Sequence, residues 1–235
     1  MTPSLKKRFW KNASVVELEN GFGVALDGRP VKTPARANLA VPVVGIAQMI
    51  AAEWDAQTES VNPELMPATR WANSAIDKVS VQRADVIAML AEYGGSDLLC
   101  YRAEHPEALL EKQKQAWDPL LAWAEKQLDA RLETTCGVLP VEQANHSLRN
   151  LKTALEVYDS YQIAAIHDLV TISGSLVLAL AVSKGDITAA QAWKISRVDE
   201  DWQEKLWGTD EDAQLSAKSK SDSFLFADSI LQLLR

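Results

Sequence analysis

Glu53 and Asp55, with the cation Arg70 further along, are the charged residues that an enzyme working in a cleft between two domains would use. Little else in the sequence supports catalysis. His105, His146 and His167 share no i, i+4 spacing, and the one adjacent carboxylate, Asp168 beside His167, falls on a different helix face. Ser173-Gly174-Ser175 does not have the GxSxG pattern of a serine nucleophile and lies within an apolar helical run, not at a strand-to-helix elbow. Gly21, Gly23 and Gly28 resemble a phosphate loop only superficially, because neither GxGxxG nor GxxxxGK[ST] occurs and all three belong to hairpins. Consecutive acids such as Asp199 and Glu200 diverge by about 100° on a helix and cannot form a catalytic dyad. Cys100 and Cys136 make no CxxC pair, which excludes a structural zinc and a disulfide framework. The expectation is no catalytic residue, no cofactor and no metal.

Tryptophan is the residue in excess: eight, against four Phe and four Tyr. Large aromatics are over-represented at interface hot spots, so the bias favours binding. Read as one helix with Glu200 at zero, Ile195, Val198, Trp202 and Leu206 fall between about 160° and 240° and form a core stripe. Trp193, Glu204 and Trp207 fall within about 40° of Glu200 on the far side. Two tryptophans flanking two carboxylates suit a partner surface with an apolar pocket beside Arg or Lys. Glu200, Trp193, Glu204 and Trp207 are therefore the candidate partner-binding residues. The alternative is that another part of the chain covers them.

The elements that must position this stripe follow from periodicity. Val15-Val16, Leu18, Phe22, Val24, Leu26 and Val31 come in short alternating runs broken by Asn20-Gly21 and Asp27-Gly28, which predicts β-hairpins in the first forty residues. Ile46, Met49, Ile50 and Trp54 predict a helix on that sheet, with Trp54 anchored in its core. Beyond about Val81 the period is helical, with stops at Gly94-Gly95, Cys136-Gly137 and Gly185, and starts at His105-Pro106 and at an Asp186 N-cap. The seam is expected near residue 85, giving a β-rich domain over residues 1–85 and a helical domain over 86–235. Ile163 to Val182 reaches membrane-spanning length but carries Asp168 and several polar residues, so one buried helix is expected and no membrane insertion. Gly208 to Asp222 reads as an exposed loop before a short final helix. The net charge of -8 argues against nucleic acid as a partner.

Seven blocks in order then identify a resemblance: Arg8-Phe9-Trp10-Lys11; Leu26 to Pro34; Glu53-Trp54-Asp55-Ala56-Gln57; Met66-Pro67 with Ala75-Ile76-Asp77; Asp97 to Arg102; Gln115 to Leu121; and Asp199-Glu200-Asp201-Trp202-Gln203 with Trp207-Gly208. Together they resemble the chaperones that assemble the catalytic head of the F-type ATP synthase by binding its free α subunit. That family commonly has Tyr at the position of Trp10 and Phe at that of Trp202, swaps that keep an aromatic. The resemblance implies an α+β fold, with a small β-rich N-terminal domain followed by an orthogonal helical bundle. It implies the free α subunit as partner, shielded on its β-subunit-facing surface without ATP or an active site. The absence of a long presequence before the first block points to a bacterial member working in the cytoplasm.

Overall fold

Asp27 and Gly28, both at positive φ (46° and 81°), form the two-residue turn that lets the chain reverse between β2 and β3. The computed structural model describes residues 7–208 and 210–235. β1 (Ala13–Leu18) pairs antiparallel with β2 (Gly21–Leu26), Ala13 opposite Leu26 and Leu18 opposite Gly21. The two-residue loop here is Glu19-Asn20, one position earlier than the expected Asn20-Gly21. Gly21 instead sits on the strand at φ 126°, where a Cβ would collide with the Val41 carbonyl. β3 (Arg29–Pro30) and β4 (Ala40–Val41) both pair with β2, making it the central strand of four. α1 (Val44–Asp55) lies on this sheet and buries Ile46, Ala47, Ile50 and Ala51.

The fold is α+β, a small N-terminal sheet followed by helices. After α2 (Pro67–Ser74) and α3 (Arg83–Glu92) come β5 (Tyr101–Arg102), α4 (Glu107–Leu128), β6 (Thr135–Cys136) and α5 (Asn145–Glu156). The chain ends with α6 (Ser160–Ser173), α7 (Leu176–Lys184), α8 (Ala189–Ser196), α9 (Val198–Trp207) and α10 (Glu211–Leu233). Two compact units result. One takes residues up to Arg83 together with Ser160–Ala164 and Ile230–Arg235; the other takes Ala84–Asp159 and Ala165–Ser229. The first crossing lies at Arg83–Ala84, and the chain then returns to the first unit twice.

Three expectations are corrected. The apolar run from Ile163 to Val182 is two helices, because Gly174 turns left-handed (φ 70°) and the Ser175 hydroxyl caps α7 by accepting from the Leu178 N–H at 3.0 Å. Every residue of α7 from Leu176 to Ser183 is buried. The stretch from Gly208 to Asp222 is mostly helix. It lacks Pro and any Gly after 208, carries good helix formers, and begins with Glu211 and Asp212, whose charges favour a helix N-terminus. The Asp210 carboxylate also accepts from the Ala213 N–H at 3.2 Å, and Lys218 pairs with Asp222 at 2.9 Å. Finally, α8 is capped by Thr188 in a box with Gln191, not by Asp186.

Candidate partner-binding site

A helix that starts at Ala189 cannot run unbroken to Trp207 in this fold, and that decides the fate of the tryptophan stripe. Arg197 leaves helical geometry (φ -104°, ψ 15°) and divides α8 from α9. The carbonyls freed at the end of α8 are taken by side chains: the Ser196 hydroxyl donates to the Trp193 oxygen at 2.8 Å, and the Trp117 indole to the Ile195 oxygen at 2.9 Å. Trp193 therefore does not share a face with Glu200. It is half-buried, with its ring 6.0 Å from that of Phe224 and 5.5 Å beneath the Arg197 guanidinium.

The remaining three residues do lie along α9, but unequally. Glu204 is part-buried and paired with Arg197 at 2.7 Å, and the same guanidinium reaches Asp201 at 3.3 Å. Glu200 is exposed and its carboxylate makes no hydrogen bond or ion pair among the described residues. Trp207 is 79% exposed, an indole that no described residue covers. The supposed core stripe is also corrected. α9 has no buried residue, Leu206 is 59% exposed, and Val198 and Trp202 are only half-covered. The helix is held from one side by α4, where the Gln113 amide donates to Asp199 at 2.7 Å and the Lys112 ammonium sits 5.5 Å from the Trp202 ring.

Exposure continues past the α9 terminus. From Val198 to Ser223 no described residue is buried, and Leu206, Trp207 and Leu215 all lie open. Those 26 positions hold eight carboxylates against three lysines, so most of the chain's net charge of -8 sits on this arm. Sequence reasoning missed Leu215 because the segment was taken as a loop, and missed Arg197 because a lone arginine inside an acidic helix carries no signal of its partners. A groove of about 330 Å³ between α4 and α9, lined by Lys112, Gln115, Ala116, Val198, Asp201, Trp202 and Lys205, was likewise not foreseen.

The acids proposed for an enzyme are otherwise engaged. Glu53 caps α2, its carboxylate accepting from the N–H of Ala68 at 2.6 Å and of Thr69 at 2.8 Å and from the Thr69 hydroxyl at 2.7 Å. Burial raises its pKa in spite of these donors. Asp55 pairs with Arg8, whose guanidinium also donates to the carbonyls of Trp10, Lys11, Asp55 and Gln57. Trp54 is half-buried, not central in the core as expected; its ring meets that of Trp10 edge-on at 5.2 Å. The Arg8 to Lys11 and Glu53 to Gln57 blocks are thus fasteners for each other. Ser173 donates to the Leu169 carbonyl at 2.6 Å and Ser175 is fully buried, while burial pushes the Cys100 thiol up to about 12. Among the described residues no three of His, Cys, Asp and Glu are placed to hold a metal ion, and no helix is long and apolar enough to cross a membrane.

Known proteins share this architecture. A family model described as ATP12 chaperone protein matches residues 7–125, which ends before α8 and α9. The chain is similar to the solved structure of Atp12 from Paracoccus denitrificans, with a TM-score of 0.91 and 44% identity, covering 98% of this chain and 99% of that one. A solved protein from Agrobacterium tumefaciens matches with a TM-score of 0.91 and 38% identity, covering 98% of this chain and 87% of that one. The mitochondrial protein atp12 of Schizosaccharomyces pombe is 28% identical over 220 residues, 88% of this chain and 75% of that protein.

Proposed function

Since this chain belongs to the ATP12 chaperone family, a family of ATP synthase assembly chaperones, we propose that it holds the free α subunit of the F-type catalytic head. It covers the apolar surface that the β subunit occupies in the finished ring, then yields to that larger interface. Exposed apolar surface of that kind aggregates, and shielding it requires neither a nucleotide nor a catalytic group. The observation that carries the reading is the open side of α9. Trp207 offers an uncovered apolar anchor two turns from Glu200, a carboxylate without a partner among the described residues, and such a pair fits a basic, apolar patch on another protein. Trp193 and Glu204 support this face from within, through Arg197.

The compartment follows from that role, and is the bacterial cytoplasm, or the mitochondrial matrix in a eukaryote. One of the relatives is bacterial and another mitochondrial. Co-expression tests the reading. The α subunit made with this chain should remain soluble in a complex that purifies as one species, and the complex should be absent when the β subunit is in excess. An α subunit that stays insoluble, or a complex that persists with excess β subunit, would overturn it.

A further inference from the structure

The groove between α4 and α9 differs from the rest of the acidic arm in the charge that it leaves free. Four carboxylates near it are already held: Glu111 by Lys114 at 2.8 Å, Asp118 by Arg102 at 2.7 Å, Asp201 by Arg197 at 3.3 Å, and Asp199 by the neutral Gln113 amide at 2.7 Å. Lys112 and Lys205, by contrast, have no carboxylate partner among the described residues and stand exposed on opposite walls. Between them lie Trp202, half-covered, and the small apolar Val198 and Ala116. A groove of about 330 Å³ is at the small end of ligand-sized clefts and admits one large side chain. Its walls are fixed in advance by the Gln113 to Asp199 bond and by the Trp117 indole on the last turn of α8.

We propose that this groove seats an acidic segment of the α subunit that carries one large apolar side chain, the side chain lying on Trp202 and its flanking carboxylates meeting Lys112 and Lys205. The inference rests on the α-subunit reading for the identity of the partner, but its chemistry stands on the groove alone. Charge complementarity decides the occupant: two ammonium groups without a carboxylate partner, that of Lys112 resting 5.5 Å from the Trp202 ring, select carboxylates, and a basic segment would meet repulsion there. On this account the partner meets α9 from both sides, a basic patch against Glu200 and Trp207 and an acidic plug in the groove.

Two measurements test it on the full chain. With indole nitrogens labelled, the Trp202 resonance is assigned by Trp202→Phe and followed during titration with a capped Glu-Leu-Glu-Glu peptide and with its Lys-Leu-Lys-Lys counterpart. The acidic peptide should shift that resonance saturably, the basic one should not, and Lys112→Glu/Lys205→Glu should abolish the shift. A resonance unmoved by the acidic peptide, or moved equally by both, overturns the proposal. So does a resonance that moves with protein concentration alone, because a second copy would then occupy the groove. In co-expression the double reversal should capture at least about tenfold less α subunit at an unchanged melting temperature, and full capture would also overturn it. Should the wild-type chain capture no α subunit while Trp202 still selects the acidic peptide, the family reading of the partner fails and the groove's specificity for acidic segments stands.

Discussion

At the scale of single residues, α9 separates side chains that look equivalent in the sequence. Glu200 and Glu204 are both acids on one helical face, yet Glu204 is tied to Arg197 at 2.7 Å and Glu200 has no partner among the described residues. Charge reversal should therefore act on different properties. Glu200→Lys is expected to change stability by no more than about 0.5 kcal/mol, as solvent-facing substitutions do, while weakening α-subunit capture by about 2–5 kcal/mol. Glu204→Lys places a second cation beside Arg197, above the Trp193 ring, and should lower the melting temperature as well. Thermal melts alongside pull-down of co-expressed α subunit distinguish these outcomes. A folded Glu200→Lys variant with full capture would remove this face from the interface. Other residues quoted for the family resemblance act within the fold. Asp27, for example, accepts from the backbone N–H groups of Asn12 and Lys11, which hold its carboxyl below the ordinary range.

At the scale of elements, α7 and the arm of α9 and early α10 stand at opposite ends of burial. α7 is covered on all sides from Leu176 to Ser183, whereas the arm from Val198 to Ser223 has no described residue buried. Opening free energy follows burial, so in the isolated chain amide hydrogen exchange should be slowest in α7 and orders of magnitude faster in the first three turns of α10. Equal protection in the two would contradict that, and added α subunit should slow exchange in α9 selectively. The sequence was legible where local chemistry decides structure. The alternating β1 and β2, the Asp27-Gly28 turn and the α1 face of Ile46 and Ile50 follow from period and turn residues. It was not legible where a tertiary partner decides. Nothing near Arg197 marks a helix break, because the groups that stabilise the break include the Trp117 indole, 78 residues away along the chain from Ile195. Likewise Gly174 reads as a small residue in an apolar run until its left-handed φ and the buried Asp97 beneath α7 are seen. Helical spacing put Glu200, Glu204 and Trp207 together on α9; it misplaced Trp193, since spacing is informative only within one unbroken helix.

At the scale of the whole molecule, one buried carboxyl should set a visible pH dependence. Asp97 is fully buried and accepts from the N–H of Leu99 at 3.1 Å and of Val177 at 3.0 Å, so it joins the short helical turn after it to the start of α7. Burial pushes its pKa up to about 6 from an ordinary 3.8, against the pull of these donors. Between those values the folded chain keeps a proton that the unfolded chain has released. The group's contribution is thus fully present below about pH 4 and is lost as pH rises through about 6, by roughly 1.4 kcal/mol per unit. Asp97→Asn cannot ionise, so the stability of wild type relative to this variant should fall from about pH 4 to about pH 6.5 and then level off. Denaturant midpoints across that range measure it, and a difference independent of pH would show that the site does not shift this carboxyl. The way the chain is divided has a consequence of another kind. The unit that holds the first strands also needs Ser160–Ala164 and Ile230–Arg235. There the Tyr161 hydroxyl donates to the Ala40 carbonyl at 2.8 Å, Ile163, Ile230 and Leu231 are buried, and the Leu233 side chain comes up against Gly45. Chains emerge from the ribosome N-terminus first. The unit that holds β1 to β4 is therefore completed only after residues 230–235 have left the exit tunnel, while the second unit already has all its residues at Ser229. A member of a chaperone family thus has its own N-terminal unit unfinished until residues 230–235 have emerged.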